Sequence, residues 1–114
     1  MARGKHKQKS SFAGIPRAVI ECPDYTNLSG NAIKLLVELA YSYKGWNNGD
    51  LCPAWTLMKE RGFRSKATLT RAIKELVASD IIMLTRQGQF IRNKAGLYAL
   101  TWAPIDECAG KQLD

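Results

Sequence analysis

The sequence predicts an α+β domain, a three-helix bundle closed by a C-terminal β-hairpin. Three observations predict it. Two stretches, 29–43 and 65–78, carry apolar residues at helical spacing. A short segment that ends at Gly62 joins them. Two β-rich runs, 81–85 and 97–102, then flank a polar loop. Hydrophobic residues make up 46% of the 114 positions, enough to build a core in one compact domain.

The chain begins with MARGKHKQKS, which holds four Lys/Arg and no large apolar residue after Met1. Residues 1–11 are therefore expected to form a disordered basic arm, either a solubilising tail or a further phosphate contact. Residues 12–104 form the domain, and 105–114 a loose C-terminal tail. Phe12, Ile15, Val19 and Ile20, interrupted by Pro16 and closed by Pro23, are expected to pack on the domain as an extended segment or short turn.

Ser29 is the expected N-cap of the first helix. Ala32, Leu35, Leu36, Leu39, Ala40 and Tyr43 follow at i, i+3, i+4, i+7, i+8 and i+11, and Ile33 and Val37 widen the stripe. Gly45 sits where a C-cap belongs, and Trp46–Asp50 has turn chemistry. Leu51-Cys52 suit a very short strand. Pro53 or Ala54 opens a second helix through Met58 to Arg61, ended by Gly62. Ser65 caps a third helix that runs to Ala78, with Leu69, Ala72, Ile73, Leu76 and Val77 on its apolar face. In the hairpin, Ile82, Leu84, Leu97 and Ala99 are candidates for the face that covers the helices. The three tryptophans and four tyrosines are expected at core or core-edge positions rather than as stacking platforms.

Charge is distributed unevenly. The formal net charge is +7, which favours a polyanionic partner. Residues 59–94 hold nine Lys/Arg against three acids, whereas 21–58 hold two against four. On a helical wheel the outer arc of the third helix carries Ala67, Thr68, Arg71, Lys74 and Glu75, with Thr70 at its margin.

A short helix joined through a Gly-containing turn to a longer one is a helix-turn-helix pattern, and a following hairpin makes it winged. The stretch from LSGNAIKLLVELAYSYKGWNNGDL through SKATLTRAIKELVASDIIMLTRQG to LYALTW resembles winged helix-turn-helix proteins. Within them it is most similar to small replication or regulatory proteins of bacterial genomes, phages and plasmids. The resemblance spans about residues 25–104 and is most specific at Ser65-Lys66-x-Thr68-Leu69-x-Arg71-Ala72. It implies that the third helix enters the major groove of double-stranded DNA and that the hairpin acts as a wing.

The residue types suit that role. Arg64 and Arg71 can each donate two parallel hydrogen bonds to guanine, and the Ser65 and Thr68 hydroxyls can reach a base edge or phosphate. Lys66, Lys74, Arg86, Arg92 and Lys94 are the expected phosphate contacts, the last two from the 86–96 loop, where Arg92 and Lys94 can also enter the minor groove.

Other functions fit less well. His6 is the one histidine, and Cys22, Cys52 and Cys108 are widely separated, so neither a metal site nor a catalytic triad is expected. No GxxxxGK[ST] loop occurs, so the sequence is read as a non-enzyme without a cofactor. No apolar run approaches the ~20 residues of a membrane span, and no secretory apolar segment follows the basic start. A cytoplasmic protein with reduced thiols is therefore expected, nucleoid-associated when bound to DNA. A homodimer through the first helix or segment 12–28 is compatible with the pattern. The alternative function is a winged helix used as a protein-protein interaction module.

Overall fold

The computed structural model describes residues 11–86 and 96–104. The expected arm up to residue 10, the 87–95 loop with Arg92 and Lys94, and the tail 105–114 lie outside them. The elements are α1 (Arg17–Ile20), α2 (Pro23–Thr26), α3 (Gly30–Ser42), α4 (Trp55–Met58), α5 (Lys66–Ala78), β1 (Ile82–Arg86) and β2 (Leu97–Leu100). Helices followed by one antiparallel hairpin make a small α+β fold. Among the described residues no helix is long and apolar enough to cross a membrane.

Helices α3 and α5 pack face to face as the centre of the structure. Ala32, Leu35, Leu36 and Leu39 of α3 meet Leu69, Ala72 and Leu76 of α5, with Met58, Phe63, Ile82 and Leu100 completing the core. Each fully buried leucine contributes about 1.5–3 kcal/mol. Ser29 caps α3 by accepting from Ala32 N–H (3.2 Å). The helix stops at Ser42 because Tyr43 turns to extended backbone, so Gly45 (φ 91°) belongs to the following turn and not to the cap. Helix α5 ends in a Schellman closure. Asp80 takes the left-handed conformation (φ 59°), while Ile81 N–H reaches the Leu76 carbonyl and Asp80 N–H that of Val77.

Several elements differ from expectation. The segment after Phe12 winds into α1 and α2, with Pro16 at the first N-cap and Pro23 inside the first turn of the second, where a missing N–H costs nothing. Ile15 packs on the core, but Phe12 is 92% exposed. Val37 lies on the outer side of α3 and is exposed. The strand starts one residue late, at Ile82, and a bulge between Leu84 and Arg86 shifts its phase. Thr85 therefore points inward, its hydroxyl donating to the Gly49 carbonyl, and Leu84 is exposed. β2 stops at Leu100. Trp55, Trp102, Tyr25, Tyr43 and Tyr98 pack against the core as expected, whereas Trp46 and Tyr41 are exposed.

The outer edge of β2 is closed by the 48–51 segment. Leu51 exchanges both backbone hydrogen bonds with Tyr98, a single bridge in place of the expected strand. Two residues further along β2, Asn48 continues the pairing with its side chain. Its Oδ1 accepts from Leu100 N–H (2.8 Å), and its Nδ2 donates to the carbonyls of Leu100, Ala103 and Pro104, each at 3.0 Å. Asn48 is fully buried, so the WNNGD turn is a structural bracket as well as a reversal of the chain.

Candidate nucleic-acid interface

Helix α5 owes its position to three anchors. At its entry, Gly62 adopts φ 106°, a conformation that favours glycine, and Phe63 is buried beneath the turn. At its first turn, Ser65 Oγ accepts from Thr68 N–H (3.1 Å) and donates to Thr68 Oγ1 (3.0 Å). On its third turn, Glu75 reaches the start of α3. Its carboxylate accepts from Ser29 N–H (2.9 Å) and Ser29 Oγ (2.6 Å).

That last contact gives Glu75, read on the outer arc, a specific partner. In a capping box an acid three residues into the helix satisfies the N-cap N–H. Position 32 of α3 is alanine, so α5 supplies the acid from 46 positions away. The Ser29 hydroxyl and N–H hold the Glu75 carboxyl below the usual carboxylate range. The positive end of the α3 dipole favours the same charge.

With Glu75 drawn aside, the exposed residues of α5 are Lys66, Ala67, Thr70, Arg71, Lys74, Val77 and Ala78, and none is acidic. Leu69, Ala72 and Leu76 are buried on the opposite side. Arg71 folds back along the helix, its Nη2 3.4 Å from Thr68 Oγ1, so its guanidinium lies over the first turn. Lys66 borders a cavity of about 220 Å³ between α5 and the hairpin, floored by Leu69, Ile73, Trp55 and Tyr98. Thr70 is exposed and also lines this cavity, at the margin of the outer face.

The expected contact residues thus fall into groups. Arg64, Lys66, Arg71 and Lys74 are exposed, and none makes an ion pair among the described residues. Ser65 and Thr68 are half-buried, with the Ser65 hydroxyl used in both directions by the cap. Thr68 accepts from Ser65 and Arg71 and keeps its own proton to donate. Arg86 is half-buried at the end of β1, where its charge opposes the rise that burial imposes on the Cys52 thiol. Cys22 and Cys52 are free and half-buried. Arg92 and Lys94 lie outside the described residues, as does the path of the loop relative to α5.

Sequence reasoning did not find the tie between Ser29 and Glu75. Its one local sign was an N-cap serine without an acid three residues on. Arg61 was also unassigned. It pairs with Glu38 through Nε–Oε1 (2.7 Å) and Nη2–Oε2 (3.3 Å), and its guanidinium lies 5.0 Å from the Tyr41 ring centroid. This bidentate pair ties the turn before α5 to α3. No family model, curated protein or solved structure matches the chain.

Proposed function

We propose that the chain is a winged-helix domain that binds double-stranded DNA, with α5 in the major groove and the hairpin as wing. One observation carries the reading. The solvent face of α5 offers Arg71 and Lys74 beside the short side chains of Ala67, Thr70 and Ala78, and the helix's one carboxylate, Glu75, is tied to Ser29. Short side chains let a helix approach the groove floor, and an acid there would repel phosphate.

In this reading Arg64 and Arg71 read base edges, with guanine as the natural partner. Thr68 donates its remaining proton to a phosphate or base acceptor. Ser65 acts through the cap, keeping the helix start and its N–H groups in place for a phosphate. Lys66, Lys74 and Arg86, with Arg92 and Lys94 from the loop, contact the backbone. The protein binds and does not catalyse, and requires no cofactor. The resemblance carried by Ser65-Lys66-x-Thr68-Leu69-x-Arg71-Ala72 favours a regulator or replication accessory factor of bacterial or mobile-element origin.

Selection of bound duplexes from a random pool tests the proposal. A preferred sequence should emerge, and Arg71→Ala should relax preference at one position at a cost of about 1–3 kcal/mol. If no sequence is enriched, specific reading by α5 is wrong. In the alternative, the domain is a winged helix used as a protein-protein interaction module. A partner complex that survives charge reversal at Arg64 and Arg71, in a chain that never bound duplex, would favour a protein-docking role for the domain.

A further inference from the structure

A second recess lies at the C-terminal end of α3. It measures about 580 Å³ and is walled by Phe12, Tyr41, Tyr43, Lys44 and Trp102, between the 11–14 segment and the turn after α3. None of its lining residues comes from α5, β1 or β2. Its volume falls within the range of sites that enclose a ligand or an anchoring side chain. Phe12 is 92% exposed and Tyr41 58%, and Trp46, next to the lining residue Gly45, is 66% exposed. Aromatic residues left in solvent around a recess characterise protein interaction surfaces.

Charge specifies the occupant. No carboxylate lines the recess. Glu38, on the same half of α3, is consumed by its two contacts with Arg61. Lys44 is exposed and makes no ion pair among the described residues. A complementary ligand therefore presents an apolar side chain to the walls formed by Phe12, Tyr43 and Trp102 and a carboxylate to Lys44. A nucleic acid strand fits less well. Arg61 and Lys44 lie 5.0 and 5.8 Å from the centroid of the Tyr41 ring, so that ring is already engaged by cations. One uncompensated lysine is also a poor track for a phosphate backbone.

We propose that this recess docks a linear segment of a partner protein, with a bulky apolar side chain next to one or more acidic residues. The site is separate from the α5 face, so a partner can be held while α5 is occupied. The proposal does not depend on what α5 binds.

The test uses the full chain and a displayed library of random peptides of about twelve residues. Peptides with a large apolar residue beside Asp or Glu should be enriched. They should shift the amide resonances of Tyr43, Lys44 and Trp102. Lys44→Glu and Phe12→Ala should each weaken them by about fivefold or more. Both side chains are exposed, so neither variant threatens the fold. The proposal is overturned if nothing is enriched, or if the enriched peptides bind both variants unchanged. A thymidine oligonucleotide that shifts the same resonances in place of peptide would make the recess a strand-binding site. Self-association abolished by Phe12→Ala would make it a dimer contact. Peptide binding that appears only when 105–114 are replaced by glycine and serine would make the chain's own tail the occupant. Each of these three also overturns the proposal.

Discussion

Replacing Asn48 with alanine should destabilise the protein more than any other single change in the loops. The side chain is fully buried and fills the hydrogen-bonding edge of β2 beyond the Leu51 bridge. Removing it strands the Leu100 N–H, which costs about 1–3 kcal/mol when no water can replace the partner. The Nδ2 group carries two protons shared among three carbonyls, and losing those bonds adds about 1 kcal/mol. The sum is about 2–4 kcal/mol, a large part of the 5–15 kcal/mol typical of a domain. For a structure of this size that corresponds to a fall in Tm of roughly 10–25 °C. Asn48→Asp separates the contributions. It retains the acceptor for Leu100 N–H but turns a carboxylate toward three carbonyl oxygens, so it should be no more stable than the alanine variant. Urea unfolding followed by far-UV circular dichroism and tryptophan fluorescence measures both. An alanine variant within about 0.5 kcal/mol of the parent, or an aspartate variant as stable as the parent, would refute the bracket.

Two further predictions concern the anchors of α5. Ser65→Ala should cost about 1 kcal/mol of stability through loss of the cap. Ser65→Asp should recover that stability but weaken duplex binding by about tenfold, because the new carboxylate faces phosphate; equal binding by the parent and the aspartate variant would remove Ser65 from the interface. Glu75 should contribute an acid-sensitive share of stability. Its carboxyl is held below the usual carboxylate range in the folded state by the Ser29 hydroxyl and N–H. The contribution is therefore full above the unfolded-state pKa and is lost as pH falls through the lowered folded-state value. Urea midpoints measured from neutral to acidic pH should fall more for the parent than for Glu75→Gln, and parallel curves would contradict the tie.

The two main helices were legible because their signals are local. Ser29 and Ser65 stand at the N-caps, and the leucine and alanine spacing of α3 and α5 matches the buried face. The hairpin was legible as two β-rich runs, but the phase of β1 was not. Alternation placed Leu84 inward, and the bulge beside Arg86 put Thr85 there instead. The contacts that set the angle of α5 and close the sheet join residues 46 and 52 positions apart, Ser29 with Glu75 and Asn48 with Leu100. A carboxylate on a helical wheel looks solvated until the neighbouring helix end is located, and an asparagine before glycine looks like turn chemistry until the strand beside it is known. Phe12, Val37, Tyr41 and Trp46 show the converse. Apolar side chains can extend a stripe or flank a turn and still remain exposed.

Titration of a labelled random-sequence duplex with the full chain, followed by fluorescence anisotropy over a range of salt, tests the DNA-binding reading most directly. Binding at low salt should weaken by about a hundredfold or more over a fourfold rise in salt, as expected when about five cations meet phosphates. Arg71→Glu combined with Lys74→Glu should lose at least about tenfold more while its circular dichroism is unchanged. No binding at low salt, or a double variant that binds as tightly as the parent, would contradict an interface on α5.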